Sequence, residues 1–106
     1  MEYKTIDISD PTELVKAVNP EKIYVKEEGT IVHITLKPEG HLAAHKTPVN
    51  VVFFVLEGSI KILVGEEEKV FTANQMIESP ANIPHALTNV SSDSIARTLV
   101  IKMPSP

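Results

Sequence analysis

The chain has 106 residues, 42% hydrophobic content and a formal net charge of −4, values typical of one soluble globular domain. The negative charge argues against nucleic acids and anionic membranes as partners, because both require a basic surface. The absence of cysteine excludes disulfides, thiolate zinc sites and a cysteine nucleophile. No apolar leader follows Met1, and the longest apolar run, residues 51–56, is too short to cross a membrane, so a cytoplasmic location is expected.

The first twenty residues predict one strand and one short helix. Residues 3–8 alternate between apolar and polar side chains, as a half-buried strand does. Asp10 is a favourable N-cap, and Pro11 suits the first helical position. Asn19 and Pro20 are expected to stop the helix after one or two turns.

The rest of the chain predicts short strands separated by turns rich in glycine, proline and glutamate. The predicted strands cover residues 22–26, 30–37, 41–45, 49–56, 59–64, 69–72, 76–78, 85–90 and 95–103. Residues 65–68 are expected to form a solvated hairpin tip, and residues 104–106 a frayed end. Many short strands with one weak helix predict an all-β sandwich or barrel, and at this length an antiparallel double-sheet barrel.

The loop over residues 79–89 is predicted to be stiff and to present one imidazole at the start of a strand. Pro80 and Pro84 argue against one helix or a central strand here. Pro84 restricts the residue before it to extended geometry, and His85 follows directly. Asn82 tolerates the positive φ that a tight turn requires.

Residues 74–89 resemble the second signature of the cupins, small jelly-roll barrels, which reads G-x5-P-x-G-x2-H-x3-N. The spacing matches throughout, from Asn74 through Pro80, Asn82 and His85 to Asn89. Asparagine stands at both glycine positions, and it is enriched among residues with positive φ. The resemblance covers about residues 34–90 and implies an all-β, cupin-type double-stranded β-helix, with residues 1–106 forming one domain.

The first cupin signature, G-x5-H-x-H-x3-4-E-x6-G, matches only in part. With Gly58 as the anchor, the glutamate position falls on Val51, the second histidine on Thr47 and the first on His45. Gly40 lies one residue closer than the pattern requires. The resemblance therefore implies that one ligand of this signature is present and two are replaced. The surrounding segment, residues 45–51, is similar to a subgroup of small cupins of unassigned function.

In metal-binding cupins three imidazoles and a carboxylate hold a divalent ion, so the resemblance implies His45 and His85 as candidate ligands. His41 is a candidate third ligand, because equal parity on an extended segment places it on the face of His45. Zinc, nickel, manganese and iron suit such ligands. With two ligand positions replaced, the metal is expected to be weakly bound or absent. No organic cofactor is predicted.

The candidate ligand-binding residues are those around the partly matching signature. They are Thr47, Asn50, Val51 and Phe53. A one-residue slip of the loop after His45 would turn the Asn50 amide inward. Phe53 and Phe54 are expected on opposite faces, one lining the barrel.

Other polar residues are assigned no chemical role. His33 is expected to be an ordinary half-exposed side chain. The serines lack the glycine pattern of a nucleophile elbow, so no catalytic triad is assigned; they are Ser59, Ser79, Ser91 and Ser92.

Three functions remain open from the sequence. The first is a binding module in which a small molecule occupies an apolar barrel with a few convergent polar groups. The second is a metal-dependent oxygenase or isomerase that uses His45 and His85. The third is a non-catalytic structural or regulatory module. The resemblance implies a homodimer.

Overall fold

The computed structural model describes residues 17–106, and every regular element in that range is a β-strand. In chain order the strands are β1 Val18–Lys26, β2 Gly29–Leu36, β3 His41–His45, β4 Asn50–Glu57, β5 Ser59–Val64, β6 Glu67–Thr72, β7 Met76–Ser79, β8 His85–Asn89 and β9 Ala96–Met103. The all-β prediction is confirmed. The predicted strand over residues 3–8 and the N-cap at Asp10 lie outside the described residues. None of the described residues belongs to a helix long and apolar enough to cross a membrane.

The strands form two antiparallel sheets. One sheet has the order β1-β2-β9-β4-β7 and the other the order β3-β8-β5-β6. The core consists of apolar side chains that point between the sheets from alternate positions along the strands. Its buried members are Val32, Ile34, Leu36, Val51, Phe53, Val55, Ile60, Ile62, Phe71, Leu87, Ala96 and Val100. This arrangement is a two-sheet jelly-roll barrel.

The first described strand begins earlier than predicted. β1 starts at Val18, where the sequence predicted the end of a helix, and Pro20 lies within the strand. Pro20 is tolerated because β1 is an edge strand, so its missing N–H removes no hydrogen bond from the sheet interior.

Asn74 and Asn82 adopt the left-handed conformation that the sequence suggested. Their φ angles are 73° and 63°. Gly58, the anchor of the first signature, has φ 81°, and a Cβ there would lie 2.9 Å from the carbonyl oxygen of Ile95. Asparagine adopts a positive φ at low energetic cost. Position 58 needs glycine, because it combines a positive φ with a close approach of the Ile95 carbonyl.

The C-terminal segment is held against the β1–β2 turn and is not frayed, so that prediction is wrong. The Ser105 N–H donates to the Glu27 carbonyl at 3.1 Å, and its hydroxyl donates to the Lys26 carbonyl. The same hydroxyl contacts Thr30 Oγ1 at 2.5 Å. These bonds fix the segment against a turn that is itself defined by strand pairing.

His33 is buried, with 3% of its surface exposed, so the half-exposed prediction is also wrong. It lies on β2, between two neighbouring strands, and side chains from both flank it. Glu21 Oε1 is 3.6 Å from its Nδ1, and Arg97 Nη1 is 3.3 Å from its Nε2. Burial and then the Arg97 charge lower the pKa of His33, although Glu21 opposes them.

Phe53 and Phe54 lie on opposite faces of β4, as predicted. Phe53 is 1% exposed and belongs to the core, whereas Phe54 is half-buried on the outer face. Phe53 reaches the end of the barrel that contains the histidines.

Candidate functional site

A cavity of about 330 Å³ lies between the two sheets, along the seam where β1 faces β3. Its walls are Val18, Pro20, Lys22, Val32, Ile34, Leu42, His45, Phe53, His85, Val100 and Lys102. Most of these side chains are apolar, and the polar residues are two histidines and two lysines. Apolar walls with a few convergent polar groups are typical of a small-molecule site.

His85 is placed by the start of β8 and by the proline before it. Alternation along β8 directs His85, Leu87 and Asn89 inward, and His85 is only 2% exposed. Its Nδ1 lies 3.0 Å from Ser79 Oγ at the end of β7. The Phe53 ring packs against it edge-on, with ring centroids 5.1 Å apart. The predicted presentation of His85 at a strand start is therefore what the structure shows.

Strand pairing brings His45 onto His85. The two residues are partners in the β3–β8 register, and their Nε2 atoms are 3.3 Å apart. The rings meet edge to face, with centroids 4.5 Å apart and an interplanar angle of 85°. Two residues 40 positions apart in sequence thus form one polar group at the cavity wall.

The hydrogen-bond partners assign the tautomers of this pair. His45 Nδ1 is 3.1 Å from the Ala43 carbonyl, which can only accept, so this nitrogen carries the proton. Its Nε2 is then an acceptor for the Nε2–H of His85. His85 Nδ1 is left to accept the hydroxyl proton of Ser79. In this arrangement every nitrogen of the pair has a hydrogen-bond partner.

His85 is neutral at physiological pH. Burial, then the charges of His45 and Lys102, lower its pKa from 6.5 to about 4. Each cause disfavours the imidazolium, because a cation loses hydration on burial and is repelled by a like charge. A ligand in the cavity therefore meets an uncharged ring at His85.

The structure does not bring His41 to this pair. A bulge in β3 spans Leu42 to His45, so that β3 advances three residues where β8 advances two. This shift reverses the alternation, and His41 falls on the opposite face, with its Nδ1 2.7 Å from Thr88 Oγ1. The expectation that His41 and His45 share a face is wrong, since it assumed regular pleating.

The other predicted ligand-binding residues occupy different places. Phe53 lines the cavity, and Thr47 is buried with its Oγ1 3.5 Å from His85 Nε2. Val51 is fully buried in the core and does not line the cavity. Asn50 does not turn inward, because its Oδ1 accepts the Ala81 N–H at 2.9 Å. Asn50 therefore fastens the loop that carries His85.

The geometry of the histidine pair suits two metal ligands, but the described residues supply too few further ligands. Two nitrogens about 3.3–3.4 Å apart are expected on a tetrahedral zinc with bonds of about 2.1 Å, and the observed separation is 3.3 Å. Within residues 17–106, however, no three histidine, aspartate or glutamate side chains gather as a metal site would require. Val51 supplies no carboxylate and Thr47 only a hydroxyl. A catalytic zinc usually has three protein ligands, and the described residues supply only two at this site.

Sequence reasoning missed three polar residues of the site, Lys22, Lys102 and Ser79. Ala96, Thr98 and Val100, at alternate positions of β9, are all buried, and Lys102 is the next residue in that series. The alternation of the strand was therefore a sequence signal that Lys102 points inward. The Ser79 contact depends on the tertiary approach of β7 to β8 and had no signal in the sequence.

Comparison with known proteins gives one family match. The Cupin domain family matches residues 32–102, from β2 to β9. No curated protein is similar enough in sequence to count as a match.

Solved structures with the same fold span bacteria and archaea. The protein TT1209 from Thermus thermophilus is 26% identical, with a TM-score of 0.79, covering 95% of this chain and 100% of that one. An RmlC-like cupin with a double-stranded β-helix fold from Methanocaldococcus jannaschii is 21% identical, with a TM-score of 0.82, covering 98% and 93%. A conserved Streptococcus pyogenes protein of unknown function is 19% identical, with a TM-score of 0.77, covering 98% and 92%. The predicted double-stranded β-helix is confirmed.

Proposed function

The chain belongs to the Cupin domain family, and we propose that it binds a small organic molecule in the cavity beside His45 and His85. The observation that supports this is the cavity itself, about 330 Å³ with mostly apolar walls. That volume is near the lower end of the roughly 300–1,000 Å³ of ligand pockets. A small ligand is therefore the best fit.

The polar groups of the site orient such a ligand. His85 is held by Ser79 and Phe53, so its ring direction is fixed before a ligand arrives. His45 is the more exposed member of the pair and lies on the edge strand β3. It therefore contacts an entering ligand first, and the fixed ring lies behind it.

Blocking the cavity tests this function. Leu42→Trp adds bulk to the cavity wall from a half-buried position on β3. A fragment library screened by NMR against the full chain should give hits that shift the His45 and His85 ring signals, and the variant should lose them. Val70→Trp, at an exposed position on β6 away from the cavity, is the matched control and should keep them. Fragments that bind without shifting either ring would contradict the proposal.

A second candidate function is that of a metal-dependent cupin enzyme, an oxygenase or isomerase. One observation favours it, the 3.3 Å separation of two Nε2 atoms at the cavity wall. A metal there would supply Lewis-acid chemistry, with water or ligand atoms completing its coordination. Rotating the Ser79 hydroxyl would let His85 carry its proton on Nδ1 and free Nε2 for the ion.

Melting the chelated protein with added zinc, nickel, manganese or iron tests the second candidate. A metal at about 100 times its Kd stabilises by about 2.7 kcal/mol, a shift of very roughly 10–20 °C for a domain of this size. His45→Ala should abolish the shift. His41→Ala, on the same strand but the opposite face, is the control and should leave it intact. No shift with any of the four metals rejects the enzyme.

The assembly and location remain proposals. A homodimer, a cytoplasmic location and the alternative of a non-catalytic structural or regulatory module are all compatible with a Cupin domain. Equilibrium sedimentation tests the homodimer directly.

A further inference from the structure

We propose that the cavity selects a small carboxylic acid in its ionised form, with the carboxylate bound by Lys22 and Lys102. The apolar body of this ligand packs against Leu42, Phe53 and Val100. This inference rests on the proposed binding function and adds the chemical class of the ligand.

Strand register places both lysines on the inner face of the five-stranded sheet. Lys22 is the partner of Val32 and Lys102 is the partner of Val51, and both of these valines are buried in the core. Directly paired residues project to the same face of a sheet. Both lysines therefore project from the inner face and line the cavity, Lys102 half-buried and Lys22 exposed on the edge strand.

The position of Lys102 is the less easily explained of the two. An inward charge on an edge strand, such as Lys22 on β1, also serves to discourage edge-to-edge aggregation. Lys102 lies on β9, which is flanked by β2 and β4, so this explanation does not apply to it. It is half-buried and close enough to His85 to act on that ring. The ammonium group of Lys102 is therefore available to bind a ligand.

No carboxylate within the described residues neutralises these lysines. The ion pairs found in residues 17–106 join His33 with Glu21, Lys61 with Glu68, and Arg97 with Glu57. None of the residues that line the cavity is acidic, although the whole chain carries a net charge of −4. Among the described residues the cavity thus gathers positive charge in a chain of net negative charge, and such a site attracts anions.

The shape of the cavity favours a carboxylate with an apolar body over an inorganic anion. Leu42, Phe53 and Val100 offer apolar surface that phosphate or sulfate would leave uncovered. The neutral His85 ring adds no further charge to this wall. A ligand with one carboxylate and a short hydrocarbon or aromatic body can contact both the lysines and the apolar side chains of the cavity wall.

Paired acids and amides test the inference without any substitution. Butyrate, hexanoate and benzoate, each with its primary amide, are titrated into the full chain at pH 7.5 and followed by calorimetry and NMR. The best-fitting acid should bind at least about tenfold tighter than its amide, equivalent to about 1.4 kcal/mol. Inorganic phosphate should bind more weakly than this acid.

Substitutions then locate the charge. Lys102→Met should reduce the preference for acid over amide about tenfold. Lys22→Met should reduce it only about threefold, because exposed charge pairs contribute less. Lys26→Met, an exposed lysine on the same strand that does not line the cavity, is the control and should change nothing.

The outcomes separate this inference from the function on which it rests. Amides that bind as tightly as acids at the histidine rings would overturn the carboxylate assignment and leave the binding function standing. An acid preference that survives Lys22→Met/Lys102→Met would overturn the role of these lysines. If fragments of every kind fail to shift the His45 and His85 signals, the binding function itself fails.

Discussion

Two depressions along opposite seams of the described barrel differ in charge and in the exposure of that charge. The histidine cavity lies where β1 faces β3 and carries Lys22, Lys102 and two imidazoles. The second depression lies where β6 faces β7 and is larger, about 520 Å³. Its walls are Ile62, Val64, Glu67, Glu68, Lys69, Phe71, Ile77 and Glu78.

The larger depression is the weaker candidate for a ligand site. Glu67, Glu68 and Glu78 are all exposed, so water already solvates their carboxylates. In the histidine cavity, by contrast, His85 is buried and Lys102 is half-buried. Volume alone therefore does not choose between the two depressions, and the partial burial of polar groups favours the histidine cavity as the proposed site.

The largest effect should come from removing one phenylalanine at each seam. Phe53 is 1% exposed and Phe71 is 9% exposed. Phe53→Ala should lower the free energy of unfolding by about 3–5 kcal/mol, and Phe71→Ala by about 1–2 kcal/mol less, because its open depression relaxes more easily. Urea denaturation of both variants measures the difference. Equal losses would mean that the two seams are packed alike.

The next effect is a pH dependence specific to the histidine cavity. The pKa of His85 is lowered to about 4 in the folded chain from 6.5. Between these values the unfolded chain binds the extra proton, so stability falls as the pH falls from 6.5 towards 4 and then levels off. The loss is at most about 3–4 kcal/mol, since each pKa unit corresponds to about 1.4 kcal/mol.

The variant His85→Asn isolates that contribution. Burial also lowers the pKa of His33, but this residue is present in both proteins. Its contribution therefore cancels from the difference between their curves of stability against pH. The wild type should lose more stability than His85→Asn across this pH range. Parallel curves would show that His85 titrates normally.

The smallest effects concern charge at the two seams. Lys102→Met should raise the free energy of unfolding by roughly 0.5–1 kcal/mol, because a half-buried ammonium is replaced by an apolar group. Glu68→Gln, which breaks the exposed 3.8 Å pair with Lys61, should change it by less than about 0.5 kcal/mol. Chemical denaturation at pH 7 measures both. A loss of stability in Lys102→Met would mean that the ammonium has a structural role.

Local chemistry made much of the site loop predictable. The sequence predicted the turns at the prolines, the position of His85 and the positive φ of the two asparagines, because each feature depends on a residue and its immediate neighbours. The strands β3 and β5 were predicted with their observed bounds for the same reason. Alternation and turn residues are local signals.

The partners of His85 were less legible. His45 was a correct neighbour, but the candidates His41 and Asn50 point elsewhere. A single bulge in β3 reversed the face of His41. Bulges are set by the pairing of two strands, so the sequence of one strand does not reveal them.

The sequence by itself determined the barrel, the loop over residues 79–89 and the absence of a carboxylate at position 51. Only the tertiary structure decided that Ser79 holds His85, that His41 faces away and that Lys22 and Lys102 enter the cavity. The physical reason is the range of the interactions. Backbone preferences and alternation act over a few residues, whereas a cavity is formed by side chains that only sheet pairing and sheet packing bring together.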